Sequence, residues 1–243
     1  MLWAIATGFR RKMMKDVIVA LDFKNRKETM AFLEGFKEGI YVKIGMELFY
    51  SEGPEIVREI RKMGHKVFLD LKLHDIPNTV KSAMKSILRL DADMVNLHAS
   101  GGSVMMEEAM NACREEGKKP LVIAVTQLTS TTEELMQSEL LIDRSLTETV
   151  LSYAENAKKA GLSGVVCSAL EVPVIKEHLG EGFITVTPGI RPLDSAAGDQ
   201  KRIVTPARAR ELGSDYIVVG RPITRAEDPE KAYKEIKKEF LGV

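Results

Sequence analysis

Short apolar runs alternate along the chain with stretches whose apolar positions recur every three or four residues, and glycine, proline and small polar residues separate the two patterns. The runs Asp16–Asp22, Tyr41–Gly45, Phe68–Lys72, Met94–His98, Leu121–Thr126, Gly164–Ser168, Phe183–Thr187 and Tyr216–Gly220 predict strands. The periodic stretches predict helices over Arg26–Lys37, over Glu52–Met63 (opened by Gly53-Pro54 and closed by Gly64), from an Asn78 cap to Leu90, and over Ser103–Glu116 after a Gly101-Gly102 turn. Further helices are expected over Ser145–Ala160, from near Glu171, from Pro206, and from Asp228-Pro229 to about Phe240. The longest interruption, Gln127–Asp143, is expected to hold a short helix, and the Ser-, Ala-, Gly- and Asp-rich Leu193–Arg202 to be a mobile loop. Eight strands, each followed by a helical pattern and with no linker between them, predict a single (β/α)8 TIM barrel over 16–243. An open doubly wound sheet is the alternative, but it would want a GxGxxG turn after an early strand, and the chain has none.

One run breaks the apolar rule. Between Val67 and Leu73 the strand carries Asp70 and Lys72, with Asp75 in the loop that follows and Pro77 as the stop. Alternation puts Asp70 and Lys72 on one face and Leu69, Leu71 and Leu73 on the other. A structural ion pair is the plain explanation, but desolvation cancels much of what such a pair gains, so stability alone accounts poorly for charge in a core strand.

Composition narrows the partners. A chain of 243 residues with 44% hydrophobic content can build one large core, and 35 acidic residues balance 35 basic ones. With no block of like charge, neither nucleic acid nor an anionic membrane surface is an expected partner, which leaves small molecules. Cys113 and Cys167 lack CxxC spacing and a companion His cluster, so no disulfide framework and no zinc site is expected, and a reducing cytoplasm fits. Residues 1–15 have a short apolar part followed by charges, which is unlike a signal peptide and predicts a loosely ordered leader.

In (β/α)8 barrels functional groups collect at the C-terminal ends of the strands, and Asp22, Lys43, Asp70, Lys72, His98, Arg191 and Arg221 all fall there. For His98, which shares a strand face with Asn96, a hydrogen-bonded core histidine is the favoured reading over a functional one. The loops after the seventh and eighth strands commonly bind phosphate, and here they carry Gly189-Ile190-Arg191 and Gly220-Arg221-Pro222. A phosphorylated ligand is therefore expected, gripped by Arg221 and covered by Gln200 on the flexible loop.

Asp70-Leu-Lys-Leu-His-Asp-Ile-Pro-Asn, together with Val42-Lys43-Ile-Gly, Gln127-Leu-Thr-Ser130, Pro188-Gly-Ile-Arg191 and Val219-Gly-Arg221, resembles the orotidine 5′-phosphate decarboxylase family from Asp16 onward. The DxKxxD element alone marks a wider group of sugar-phosphate decarboxylases and aldolases; the Thr-Ser loop and the Gln200 loop make the resemblance specific. It implies loss of carbon dioxide from orotidine 5′-monophosphate through a C6 carbanion, with no metal or organic cofactor. Lys72 would stabilise the carbanion and protonate it, Lys43, Asp70 and Asp75 would hold its charge and position, and Asp70 would lie against the departing carboxylate. The same resemblance gives Asp22, Lys43 and Thr79 to the ribose, Ser130 and Thr129 to the pyrimidine loop, and Gln200, Gly220, Arg221 and Arg191 to the phosphate. Asp75 and Thr79 would come from the partner subunit of a homodimer whose active site is shared across the interface.

Two other readings compete: a metal-dependent sugar-phosphate lyase on the same scaffold, and a non-catalytic nucleotide-binding protein. The first would need a carboxylate-rich site beside Asp70, yet the second strand supplies Lys43 where an acid would be wanted. The second would leave the charge array idle.

Overall fold

The computed structural model describes residues 15–192 and 204–243. Eight strands are present: β1 (Asp16–Ala20), β2 (Tyr41–Gly45), β3 (Lys66–Leu73), β4 (Met94–His98), β5 (Leu121–Val125), β6 (Gly164–Val166), β7 (Ile184–Thr187) and β8 (Tyr216–Val219). Each pairs in parallel with the next, and β8 pairs with β1, closing the barrel expected from the sequence. A parallel sheet wrapped by helices is buried on both faces, which is why its strands read as nearly unbroken apolar runs. Val17, Val19, Val42, Ile44, Val67 and Leu69 pack outward with the helices in the main core, while Ile18, Phe68, Met94, Ile123, Val186 and Val218 form a second cluster that fills the barrel. Along that inward face the side chains change character with height. Tyr41 and Tyr216 lie at the N-terminal mouth, the apolar cluster in the middle, and Lys43, Asp70 and Asn96 toward the C-terminal mouth.

Four local expectations need correction. The helix expected over Glu52–Met63 is two, Met46–Glu52 and Glu55–Lys62. Gly53 at φ 71° ends the first, and Pro54 follows with no N–H to continue the ladder. Pro77 opens the next helix, Pro77–Leu88, at its first position behind Ile76, and Asn78 supplies no cap. Arg221, expected in a loop, begins a short helix, Arg221–Thr224, with Gly220 before it. The alternation expected through Lys72 also fails: the β3–β4 register shifts between Leu69 and Leu73, and Lys72 sits at φ 51°. A left-handed non-glycine residue costs about 1–2 kcal/mol, and such strain gathers at functional sites.

The Gln127–Asp143 interruption holds the expected short helix, Glu133–Ser138, capped by Thr132. No helix among the described residues is long and apolar enough to cross a membrane. The leader's residues 1–14 and all of the 193–203 segment, including Gln200, lie outside the described residues.

Candidate active site

Parallel pairing sets Lys43 beside Phe68 and Gly45 beside Asp70, so the two charged inward positions of β2 and β3 meet at the C-terminal mouth. Lys43 Nζ stands 3.4 Å from Asp70 Oδ2 and 3.4 Å from Asp22 Oδ1, linking the ends of three strands or their loops. Lys72 Nζ donates to Asp70 Oδ1 at 2.7 Å. Asp70 is therefore shared by two ammonium groups while only 8% exposed. Burial pushes its carboxyl pKa up, but Lys43, Lys72 and hydrogen bonds from Lys72 and Asn96 outweigh that and hold it below the ordinary carboxylate value.

Asn96 is the residue that the sequence reading left out of the site. Its side chain is buried at 2% exposure; Nδ2 donates to Asp70 Oδ1 at 2.6 Å, and Oδ1 accepts the Lys72 backbone N–H at 2.8 Å. One amide thus fixes both the carboxylate and the left-handed backbone of the lysine that the carboxylate holds. The signal was an amide in the middle of an apolar strand, on the inward face.

Two adjoining cavities open over this array and share Lys43, Pro188 and Val218. The smaller, about 290 Å³, is lined by Asp70, Lys72, Asn96, Gln127, Thr129 and Ser130. The larger, about 650 Å³, is lined by Asp22, Gly189, Arg191, Gly220, Arg221 and Arg225, which makes it cationic on one side. Gly189 takes φ 79°, a conformation suited to glycine, and turns the chain after β7. Beyond it, Arg191 N–H donates to Val204 O at 3.0 Å and Val204 N–H to Gly189 O at 3.4 Å, which joins the loop after β7 to the residues leading into the next helix.

The site residues expected from the sequence, apart from Gln200, which lies outside the described residues, divide into two groups. Asp22, Lys43, Asp70, Lys72, Thr129, Ser130, Arg191, Gly220 and Arg221 are brought to the joined cavities. Asp75 and Thr79 are not: both are exposed, and the Asp75 carboxylate accepts the N–H of Ile76 at 2.6 Å, within its own loop. His98 lies half-buried against His74, ring centroids 5.4 Å apart. Burial, His74 and Lys72 lower its pKa, with Asp70 acting in the opposite sense. Among the described residues, no cluster of three or more His, Cys, Asp or Glu could hold a metal, and the Lys43 ammonium fills the space between the Asp22 and Asp70 carboxylates.

This geometry has relatives. Residues 15–236 match the model of a family described as Orotidine 5′-phosphate decarboxylase / HUMPS. A Bacillus cytotoxicus protein named orotidine 5′-phosphate decarboxylase is 57% identical over 236 residues, covering 95% of this chain and 99% of that one. The crystal structure of orotidine 5′-phosphate decarboxylase from Lactobacillus acidophilus is 42% identical with a TM-score of 0.84, covering 93% of this chain and 99% of its own. That of orotidine 5′-monophosphate decarboxylase from Methanocaldococcus jannaschii, complexed with the inhibitor BMP, is 26% identical with a TM-score of 0.75 and the same coverages.

Proposed function

From membership of the orotidine 5′-phosphate decarboxylase / HUMPS family, to which this chain belongs, we infer how its residues carry the reaction of a carboxy-lyase that converts orotidine 5′-monophosphate to uridine 5′-monophosphate and carbon dioxide in pyrimidine biosynthesis. The pyrimidine enters the smaller cavity, with Thr129 and Ser130 at its edge. The ribose crosses Lys43 and Asp22, and the phosphate enters the larger cavity at Gly220, Arg221 and Arg191. Gln200, which lies outside the described residues, joins them at the phosphate in this reading.

The C6–carboxylate bond breaks, its electron pair stays on C6, and carbon dioxide leaves. Lys72 faces the developing negative charge as an ammonium, then gives C6 its proton. Asp70, Lys43 and Asn96 hold that ammonium in place before the substrate arrives, so little reorganisation is left for the reacting step. No metal or organic cofactor takes part in this scheme. The observation that carries it is the 2.7 Å contact of the Lys72 ammonium with a buried Asp70 in a cavity of nucleobase size.

Asp75 and Thr79 enter the site of a second copy of the chain across a two-fold axis. Their exposure, away from their own chain's array, supports that homodimer. A cytoplasmic location belongs to the same reading, since a charged nucleotide does not cross a membrane unaided.

The test is the ultraviolet absorbance change as orotidine monophosphate is consumed, with and without a chelator. Turnover should survive exhaustive chelation; loss of turnover with recovery in magnesium would favour a metal-dependent lyase instead. Mixing inactive Lys72→Ala and Asp75→Ala chains under exchanging conditions should restore roughly a quarter of wild-type activity per chain, because about half of the random pairs are hybrids with one intact site. No recovery despite proven exchange would put Asp75 in its own chain's site.

A further inference from the structure

The N-terminal mouth of the barrel holds a cavity of about 630 Å³, within the range of small-molecule sites and outside the chemistry described above. The opening residues of five strands line it: Tyr41, Lys66, Leu121, Ile184 and Tyr216, of β2, β3, β5, β7 and β8. This face of a (β/α)8 barrel ordinarily serves stability, and two ion pairs at the rim fit that purpose, Arg61 with Asp93 and Lys118 with Asp91.

Three groups are left over once those pairs are made. Tyr41 is only 4% exposed, and its hydroxyl is buried with no hydrogen-bond partner among the described residues. Native proteins seldom leave a buried hydroxyl unsatisfied, because removing it from water costs free energy that a partner must return. Lys66 Nζ lies 6.0 Å from the centroid of the Tyr41 ring, and neither it nor Lys119 forms an ion pair among the described residues. Both lysines are exposed at the rim. Below them the Tyr41 and Tyr216 rings meet edge to face, centroids 5.9 Å apart, beside Leu121 and Ile184.

We propose that this mouth is a second ligand site, for a small aromatic or heteroaromatic anion. The ring of such a ligand rests on the tyrosines and aliphatic side chains, where its apolar area leaves water. Its phosphate or carboxylate lies between Lys66 and Lys119, and a small turn of the Tyr41 side chain, whose hydroxyl is closed off in the unliganded protein, lets a polar atom of the ligand become its missing partner. The arrangement needs both halves. An inorganic anion alone finds only exposed lysines, and a neutral ring leaves both ammoniums unpaired. Ile18, Phe68, Met94, Ile123, Val186 and Val218 fill the barrel between the two mouths, so the site is separate from the catalytic cavities.

Phenyl phosphate is the probe, titrated into the full chain carrying 13C-labelled tyrosine, with saturating uridine 5′-monophosphate keeping the C-terminal mouth occupied. Of the five tyrosines, Tyr41 and Tyr216 should shift saturably while Tyr50, Tyr153 and Tyr233 do not. Inorganic phosphate and benzyl alcohol should each bind at least tenfold more weakly than phenyl phosphate. The double substitution Lys66→Ala/Lys119→Ala should weaken phenyl phosphate at least tenfold. Tyr41→Phe should weaken it several-fold with the melting temperature of the unliganded protein unchanged or raised, since the hydroxyl has no partner to lose. Absence of a saturable shift overturns the proposal, whether the mouth stays empty or is covered by the chain's own first residues. So does binding that survives the double lysine substitution, or a Tyr41→Phe protein that melts earlier.

Discussion

At the N-terminal mouth Asp91, Asp93 and Asp215 each have their own cation, in Lys118, Arg61 and Lys176. At the C-terminal mouth the charges are shared: Lys43 stands 3.4 Å from two carboxylates, and Asp70 faces two ammoniums. Both mouths are made by the same strands and have similar residue types, so the difference lies in connectivity. A closed pair neutralises itself and adds to stability only modestly. A shared array keeps its members oriented toward a space that neither sign fills, which is the preorganisation a charged transition state uses. The backbone follows the same division. Asp91 and Lys72 are both left-handed, at φ 53° and 51°, but an aspartate in a turn takes that conformation readily, whereas a lysine in a strand is held there by Asn96.

The comparison is broken most directly by deleting one lysine from each mouth. Lys72→Ala should lower turnover by at least about 10⁴-fold, losing both the proton donor and the facing charge, while uridine monophosphate still binds within a few-fold. The absorbance assay and product calorimetry read the two effects separately. Next in size is Arg221→Ala, expected to cost about 2–3 kcal/mol of transition-state binding, roughly 100-fold in kcat/KM for orotidine monophosphate. Orotidine without its phosphate should be indifferent to the change; equal losses for the two substrates would remove Arg221 from the phosphate.

Asn96→Ala sharpens the contrast, since it leaves both charges of the Lys72–Asp70 pair in place. Losing the amide should lower kcat by about tenfold to a hundredfold with KM little changed, as expected for misplacement of a reacting group by about an ångström. Unpairing the Lys72 N–H should also cost about 1–3 kcal/mol of stability. If kcat is unaltered, the array orients itself without Asn96.

Acid should act on the C-terminal mouth through Asp70. Its folded-state pKa is held below the ordinary value of about 3.9, so the stability it contributes is complete above that pH and is lost as pH falls through the lower folded value. Asp70→Asn should therefore flatten the acid limb of a melting-temperature profile. His98, also lowered, contributes above its ordinary value of about 6.5 and loses that contribution as pH falls toward its folded pKa. The smallest effect belongs to the other mouth: Lys118→Ala breaks an exposed pair and should change stability by no more than about 1 kcal/mol, with turnover untouched.

The strands were legible because a parallel strand buried on both faces must be apolar throughout, and because glycine, proline and capping residues act within a few positions of themselves. The same locality made Lys43, Asp70 and Lys72 conspicuous as charges where the pattern wanted apolar residues. Locality also explains the errors. Pro77 can stop a strand or open a helix, and only the path taken by the preceding residue, Ile76 at ψ 150°, decides between them. Gly53-Pro54 can open one helix or divide two, and packing of Leu48 into the core makes Met46–Glu52 helical as well.

By itself, then, the sequence determined the number and order of strands, the mouth at which chemistry collects, and most of the side chains there, because each of these follows from periodicity or from chemistry next to a strand end. Tertiary structure decided which distant side chains meet. The β3–β4 register shift brings Asn96 to both Asp70 and the Lys72 backbone, and a separation of 24 to 26 residues along the chain carries no local signal of that contact. The β2–β3 register sets Gly45 beside Asp70 and lets one ammonium serve two acids, and closure of β8 onto β1 brings Gly220 and Arg221 around to Asp22. Each of these is a long-range pairing, selected by the burial of whole strand faces at once, so no single stretch of the chain could announce it.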